Sequence, residues 1–131
     1  MNDLNDYLQD IRYTISEEIY VFVTLPEWSI PTTIRPLMSF MEVEGYTFIL
    51  KKSDAMKNEI PFIFESKLLS LETKTPLELV GFIANVAKVL SDAGVSTNIV
   101  AGYYHDHILI ALDKVYDTVV ALDSMQTSEV Y

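Results

Sequence analysis

Apolar residues recur at spacings of three and four at the start of the chain, where Leu4, Tyr7, Leu8, Ile11 and Ile15 would share one face of a short helix. The pattern then changes. Residues 20–25 are β-branched and aromatic and halt at Pro26, which predicts a strand, while Trp28, Pro31 and Pro36 break the next stretch into a loop. Residues 38–42 and 46–50 flank Val43-Glu44-Gly45, a hairpin pattern in which Gly45 can take a positive φ. Ser53 is placed to cap one or two helical turns over residues 54–57, before Pro61.

Residues 62–71 form an apolar-rich run, interrupted by Glu65 and Lys67, that reads as a long strand with one partly exposed face. Thr75-Pro76-Leu77-Glu78 has the form of a capping box and predicts a helix starting there. Along that helix Glu78, Gly81, Asn85, Lys88 and Asp92 form a narrow polar stripe, so Leu79, Phe82, Ile83, Val86, Val89 and Leu90 face more than one apolar neighbour. Gly94 stands where a left-handed residue ends a helix. Residues 95–101 and 107–112 make an antiparallel pair across a short link. Asp113 can cap a last helix with Val115, Val119 and Leu122 inward and Lys114, Asp117 and Asp123 in solvent.

The second half is therefore β-α-β-β-α, an α+β ferredoxin-like βαββαβ arrangement with helices on one face of an antiparallel sheet and its last strand missing. A strand from the first half, such as residues 20–25, would complete it. The expected division is residues 1–60, an incomplete half that can lend a strand, and residues 61–131, the C-terminal module that receives it.

A chain of 131 residues has room for one domain, or for two half-size modules sharing a core. Nine basic residues against 19 acidic give a formal net charge of -10, which opposes binding to phosphate backbones and to anionic membranes. No apolar run approaches the roughly 20 residues that span a bilayer, and Met1 is followed by Asn2, Asp3 and Leu4, so the expected location is the cytoplasm. The absence of cysteine removes disulfides, thiolate metal sites and cysteine nucleophiles.

Glu44-Gly45, Val80-Gly81 and Tyr103-Tyr104-His105-Asp106-His107, preceded by residues 94–102, carry a resemblance to small bacterial tandem ACT-domain proteins. ACT modules are regulatory and bind amino acids, so the resemblance implies a non-catalytic amino-acid-binding protein, homodimerisation through side-by-side sheets, and no cofactor. The same hairpin is more distantly similar to that of the cytosolic arginine sensors. That likeness implies ligand contacts at Gly102, Tyr103 and Asp106 on the hairpin and at Leu79, Gly81 and Phe82 on the facing helix turn. Leu79 stands where those sensors have a carboxylate, so specificity for arginine does not carry over.

Physical chemistry points to the same region, because a helix beginning at Thr75 would offer unpaired N–H groups to a ligand carboxylate while Asp106 met its ammonium. The plainer reading leaves Thr75 and Glu78 as caps, Asp106 as a turn former and Gly81 as a packing residue. Asn98 could mark a ligand seam or a satisfied polar position on the sheet. His105, Asp106 and His107 suggest a metal, but two imidazoles in the whole chain cannot close a site alone, and they are equally few as catalytic bases. No nucleophile elbow or phosphate-binding glycine loop is present. The Trp28, Ile30 and Ile34 loop reads as a lid, a partner patch or the edge of a core. An oligomerisation module whose pocket is filled by Tyr103 and Phe82 is the alternative to a sensor.

Overall fold

Alternation with a period of two begins at Tyr13 rather than at residue 20. Tyr13 and Ile15 turn inward and Thr14 outward, so helix α1 stops at Leu8 (Leu4–Leu8) and Ile15 belongs to strand β1, Tyr13–Leu25. The computed structural model describes residues 4–127 and continues with β2 (Met38–Glu42), β3 (Gly45–Lys51), α2 (Lys52–Lys57), β4 (Ile63–Leu71), α3 (Phe82–Asp92), β5 (Asn98–Ala101), β6 (Asp106–Ala111), a 3-10 turn (Leu112–Lys114) and α4 (Val115–Thr127). These elements group into two compact units, Glu17–Lys67 and the discontinuous pair Met1–Ser16 with Leu68–Tyr131. Residues 1–16, expected with the first half, thus group with the second, and β1 and β4 each carry residues of both units.

In the discontinuous unit the strand order is β1-β4-β6-β5. Counted along a ferredoxin-like βαββαβ chain, this is the order 4-1-3-2, with the start of β1 in the place of the missing last strand. The strand that completes this sheet is Tyr13–Ser16, not residues 20–25. Glu72 N–H donates to Arg12 O (2.7 Å) and Leu68 N–H to Ser16 Oγ (2.9 Å). Helices α1, α3 and α4 supply Tyr7, Phe82, Val86, Leu90, Ala121 and Leu122 to a core closed by Ile11, Leu69, Leu71, Ile108 and Ile110. Each large side chain fully buried there contributes about 1.5–3 kcal/mol.

Helix α3 departs from expectation at its start. Gly81 adopts φ 99° and ψ −15°, a left-handed turn no helix continues through, so residues 75–81 are irregular and Leu79 N–H donates to Pro76 O (3.0 Å). Thr75 therefore caps nothing, and Gly81 is a packing position, since a Cβ there would stand 2.9 Å from Leu4 Cδ2. The far end behaves as read. Gly94 takes φ 79°, with Val95 N–H on Leu90 O and Gly94 N–H on Ser91 O (2.9 Å each), the two bonds of a Schellman motif. Asp113 lies within the 3-10 turn, whose N-cap Ala111 makes no side-chain bond, and Thr118 and Ala121 join Leu122 on the buried face of α4.

The inserted unit has the order β2-β3-β1-β4, the same 4-1-3-2 pattern with the loop at residues 26–37 in place of the first helix and α2 as a short second helix. Residues 20–25 do form strand here, pairing with β3 from Tyr20↔Lys51 to Leu25↔Tyr46. The hairpin forms as expected, with Glu42 opposite Gly45. Lys51, not Ser53, occupies the N-cap of α2, and it makes no side-chain bond. Ile30 and Ile34 are buried among Val21, Phe48 and Leu50, and Trp28 packs edge-on to Phe48 with centroids 4.9 Å apart, so this loop closes the edge of a core.

Candidate functional site

Strands β5 and β6 pair with Ala101 opposite Asp106 and Val100 opposite His107. Because directly opposed residues share a face, Ala101 and Asp106 look one way, Val100 and His107 the other. On the side of Asp106 a cavity of about 130 Å³ opens, enclosed by Thr75, Pro76, Leu77 and Leu79 from the irregular segment, Phe82 and Ile83 from the first turn of α3, and Ala101, Gly102 and Asp106 from the hairpin. Five of the eight anticipated residues, Thr75, Leu79, Phe82, Gly102 and Asp106, come together in this wall.

The other three do not. Gly81 turns the chain beside α1. Asn98 is exposed and pairs with Leu109, on the sheet face away from the cavity. Tyr103 is 79% exposed and meets Tyr104 edge-on at 4.8 Å, so it stands on the surface and does not fill the space. Pro76, Leu77, Ile83 and Ala101 were not anticipated in this wall, although counting Gly102–His105 as a closed turn, with Gly102 N–H on His105 O (2.9 Å), would have set Ala101 against Asp106.

The polar character of the cavity comes from two sources. Thr75 Oγ1 lies 3.5 Å from Asp106 Oδ2, which leaves the carboxylate as the acidic wall. The first turn of α3, whose Phe82 and Ile83 also line the cavity, has no side-chain cap and no acidic residue, so its leading N–H groups present the positive end of the helix. Behind the hairpin, Nδ1 of His107 lies 2.8 Å from Ser70 Oγ. Burial holds the His107 pKa below the ordinary imidazole value, helped by His105 and opposed by Asp106 and Glu72. Nδ1 of His105 is buried with no hydrogen-bond partner among the described residues. Among those residues no group of three or more histidines and carboxylates comes together to hold a metal, and no helix is long and apolar enough to cross a membrane. A larger groove of about 450 Å³ in the inserted unit, lined by residues such as Phe22, Leu25, Pro61 and Phe62, offers no charged side chain.

Two ACT-domain family models match the chain, one over residues 1–67 and the other over residues 66–124. The chain belongs to the ACT-domain family. A Vibrio cholerae protein of unknown function, described as a possible transport protein, is 30% identical, with a TM-score of 0.83 over 92% of this chain and 93% of that one. An Agrobacterium tumefaciens protein superposes with a TM-score of 0.71 at 15% identity, covering 88% and 89% of the two chains. The ligand-free regulatory subunit of aspartate kinase from Thermus thermophilus does so with 0.65 at 13% identity, covering 86% and 95%. No curated protein matches in sequence. As tandem ACT domains the two units are regulatory, ligand-binding modules in general character, and ACT domains are not themselves catalytic.

Proposed function

We propose that this ACT protein senses a small amino acid in the cavity beneath the Gly102–His105 turn and reports occupancy through its assembly or its affinity for a partner. The observation that carries this reading is the pairing of an acidic wall at Asp106 with the uncapped start of α3 across one small enclosed space. That polarity matches a zwitterion, with the ammonium on Asp106 and the carboxylate on the helix N–H groups. Size narrows the choice. Pockets for drug-sized ligands run from roughly 300 to 1,000 Å³, so 130 Å³ suits glycine, alanine or serine and excludes a long side chain unless the wall moves. Leu79, an apolar contact, gives a basic side chain nothing to bind.

A thermal-shift screen against the standard amino acids at millimolar concentration tests this. At 100 times the dissociation constant a ligand adds about 2.7 kcal/mol, several degrees for a domain of this size. A shift with a small amino acid that disappears in Asp106→Ala supports the reading. No shift with any amino acid overturns it.

A second reading, a ligand-independent oligomerisation module, draws on a different observation. β2 is an edge strand, and Phe40, Met41 and Val43 at its hairpin are 64%, 71% and 103% exposed. Unprotected apolar edges invite pairing with another strand, and a second copy of β2 would supply one. Sedimentation should then show dimers that Phe40→Lys converts to monomers, with no response to amino acids.

A further inference from the structure

Behind the cavity, on the other face of the sheet, a line of contacts ends on Gly102. His107 is held through Nδ1 by Ser70 on β4. A Cβ built on Gly102 would stand 3.3 Å from His107 Nε2 and 2.8 Å from His105 O, so the imidazole lies directly against this glycine. The Gly102 N–H to His105 O bond closes the turn, and the rings of His105 and His107 are 6.5 Å apart. The backbone that lines the cavity on one side is thus backed by a titratable ring on the other.

We infer that His107 is the positioning residue of the Gly102 wall and that protonating it loosens the turn, so that a ligand in the cavity is held less tightly in acid. The titratable groups bearing on the ring are His105 in the turn, Asp106 on its own strand and Glu72 beyond β4; Ser70 and Val100 are its neutral neighbours. A proton on His107 adds a cation to a half-buried space beside a second imidazole, and relief comes from swinging the ring toward water, away from Gly102. Burial depresses the folded-state pKa, so the closed turn is fully favoured above the unfolded value near 6.5 and is lost as pH falls through the lower folded value. The effect on affinity rests on the ligand reading above. The effect on the wall does not.

The wall can be followed without ligand. Hydrogen exchange of the Gly102 amide, measured by NMR on the full chain from pH 8 to pH 5 and expressed as a protection factor, is read beside the titration of the His107 ring. Protection should fall by roughly fivefold in step with the ring, the population change that one ordinary hydrogen bond supports. His107→Asn, which keeps a nitrogen near the Ser70 hydroxyl but cannot titrate, should give a flat profile. Constant Gly102 protection while wild-type His107 titrates overturns the inference, and so does a pH response that persists in His107→Asn. The wild-type titration decides the matter even if that variant does not fold. If Gly102 responds but no standard amino acid gives a thermal shift at pH 8, the wall mechanism stands and the ligand reading falls.

Discussion

Replacing Gly102 by alanine puts the hairpin wall under a defined load. The new Cβ would lie 2.8 Å from the carbonyl oxygen of His105, a backbone atom that cannot rotate away, and 3.3 Å from His107 Nε2. Real Cβ atoms do not come this near a backbone oxygen, so the turn must open, sacrificing the Gly102 N–H to His105 O bond. Overpacking of this kind costs about 1–3 kcal/mol and a lost hydrogen bond about 1 kcal/mol, which sets the expected loss at about 2–4 kcal/mol. In urea, where the slope for small proteins is about 1–3 kcal/mol/M, the unfolding midpoint should drop by about 1–2 M. Gly94→Ala is the control, because its Cβ would meet only Lys114 Nζ at 4.0 Å; it carries the left-handed backbone penalty of about 1 kcal/mol and no clash. Parallel urea titrations followed by circular dichroism compare the two. A Gly102→Ala midpoint equal to that of wild type, or a smaller loss than Gly94→Ala shows, would refute the steric argument.

Two further predictions concern the discontinuous unit. Tyr13 donates its hydroxyl to Asp123 Oδ1 (2.8 Å), and burial, this bond and the nearby charge push its pKa up to about 12. In an ultraviolet titration one of the eight tyrosines should therefore ionise late, and Asp123→Asn should bring it back toward 10; the associated stability is present below about 10 and lost as pH rises through 12. No change on Asp123→Asn would remove the pairing from consideration. A fragment of residues 59–131 lacks both the Tyr13–Ser16 strand and the buried Tyr7 and Ile11. With about 1.5–3 kcal/mol lost for each large buried side chain against a total of about 5–15 kcal/mol, it should show no cooperative urea transition, and a sharp one would contradict the shared-strand architecture.

Much of this fold was legible because its signals are local. Proline-broken loops, the Gly45 hairpin, the Gly94 stop and the β5–β6 pair each depend on a few neighbouring residues. The misreadings share one cause, a local signal outweighed by distant contacts. The sequence around Thr75 has every feature of a helix start, but Gly81 must turn left-handed where Leu4 packs against it, and that contact spans most of the chain. Residues 11–15 fit a helical stripe as well as a strand, and only pairing with β4 decides between them. Of the residues that the hairpin motif singles out, Asp106 and Gly102 line the cavity. Tyr103 and Asn98 were misplaced for want of the hairpin register, which sends Asn98 to the opposite face and leaves Tyr103 in the exposed turn.

The discontinuity of one unit also sets an order in time. Residues 4–16 leave the ribosome before the inserted segment, and their partners in β4 and β6 follow only after that whole segment has been made. An unstructured intervening loop of that length would tax the encounter entropically. The inserted segment can remove most of that tax by folding first, because its own two ends are neighbouring strands, tied where Ser66 Oγ donates to Tyr20 O (3.0 Å). Once that tie forms, the two ends of the inserted segment lie side by side, and the loop left to close is short. The insertion thus exchanges a long open loop for a short closed span, and the entropic cost of bringing residues 4–16 to their partners falls accordingly.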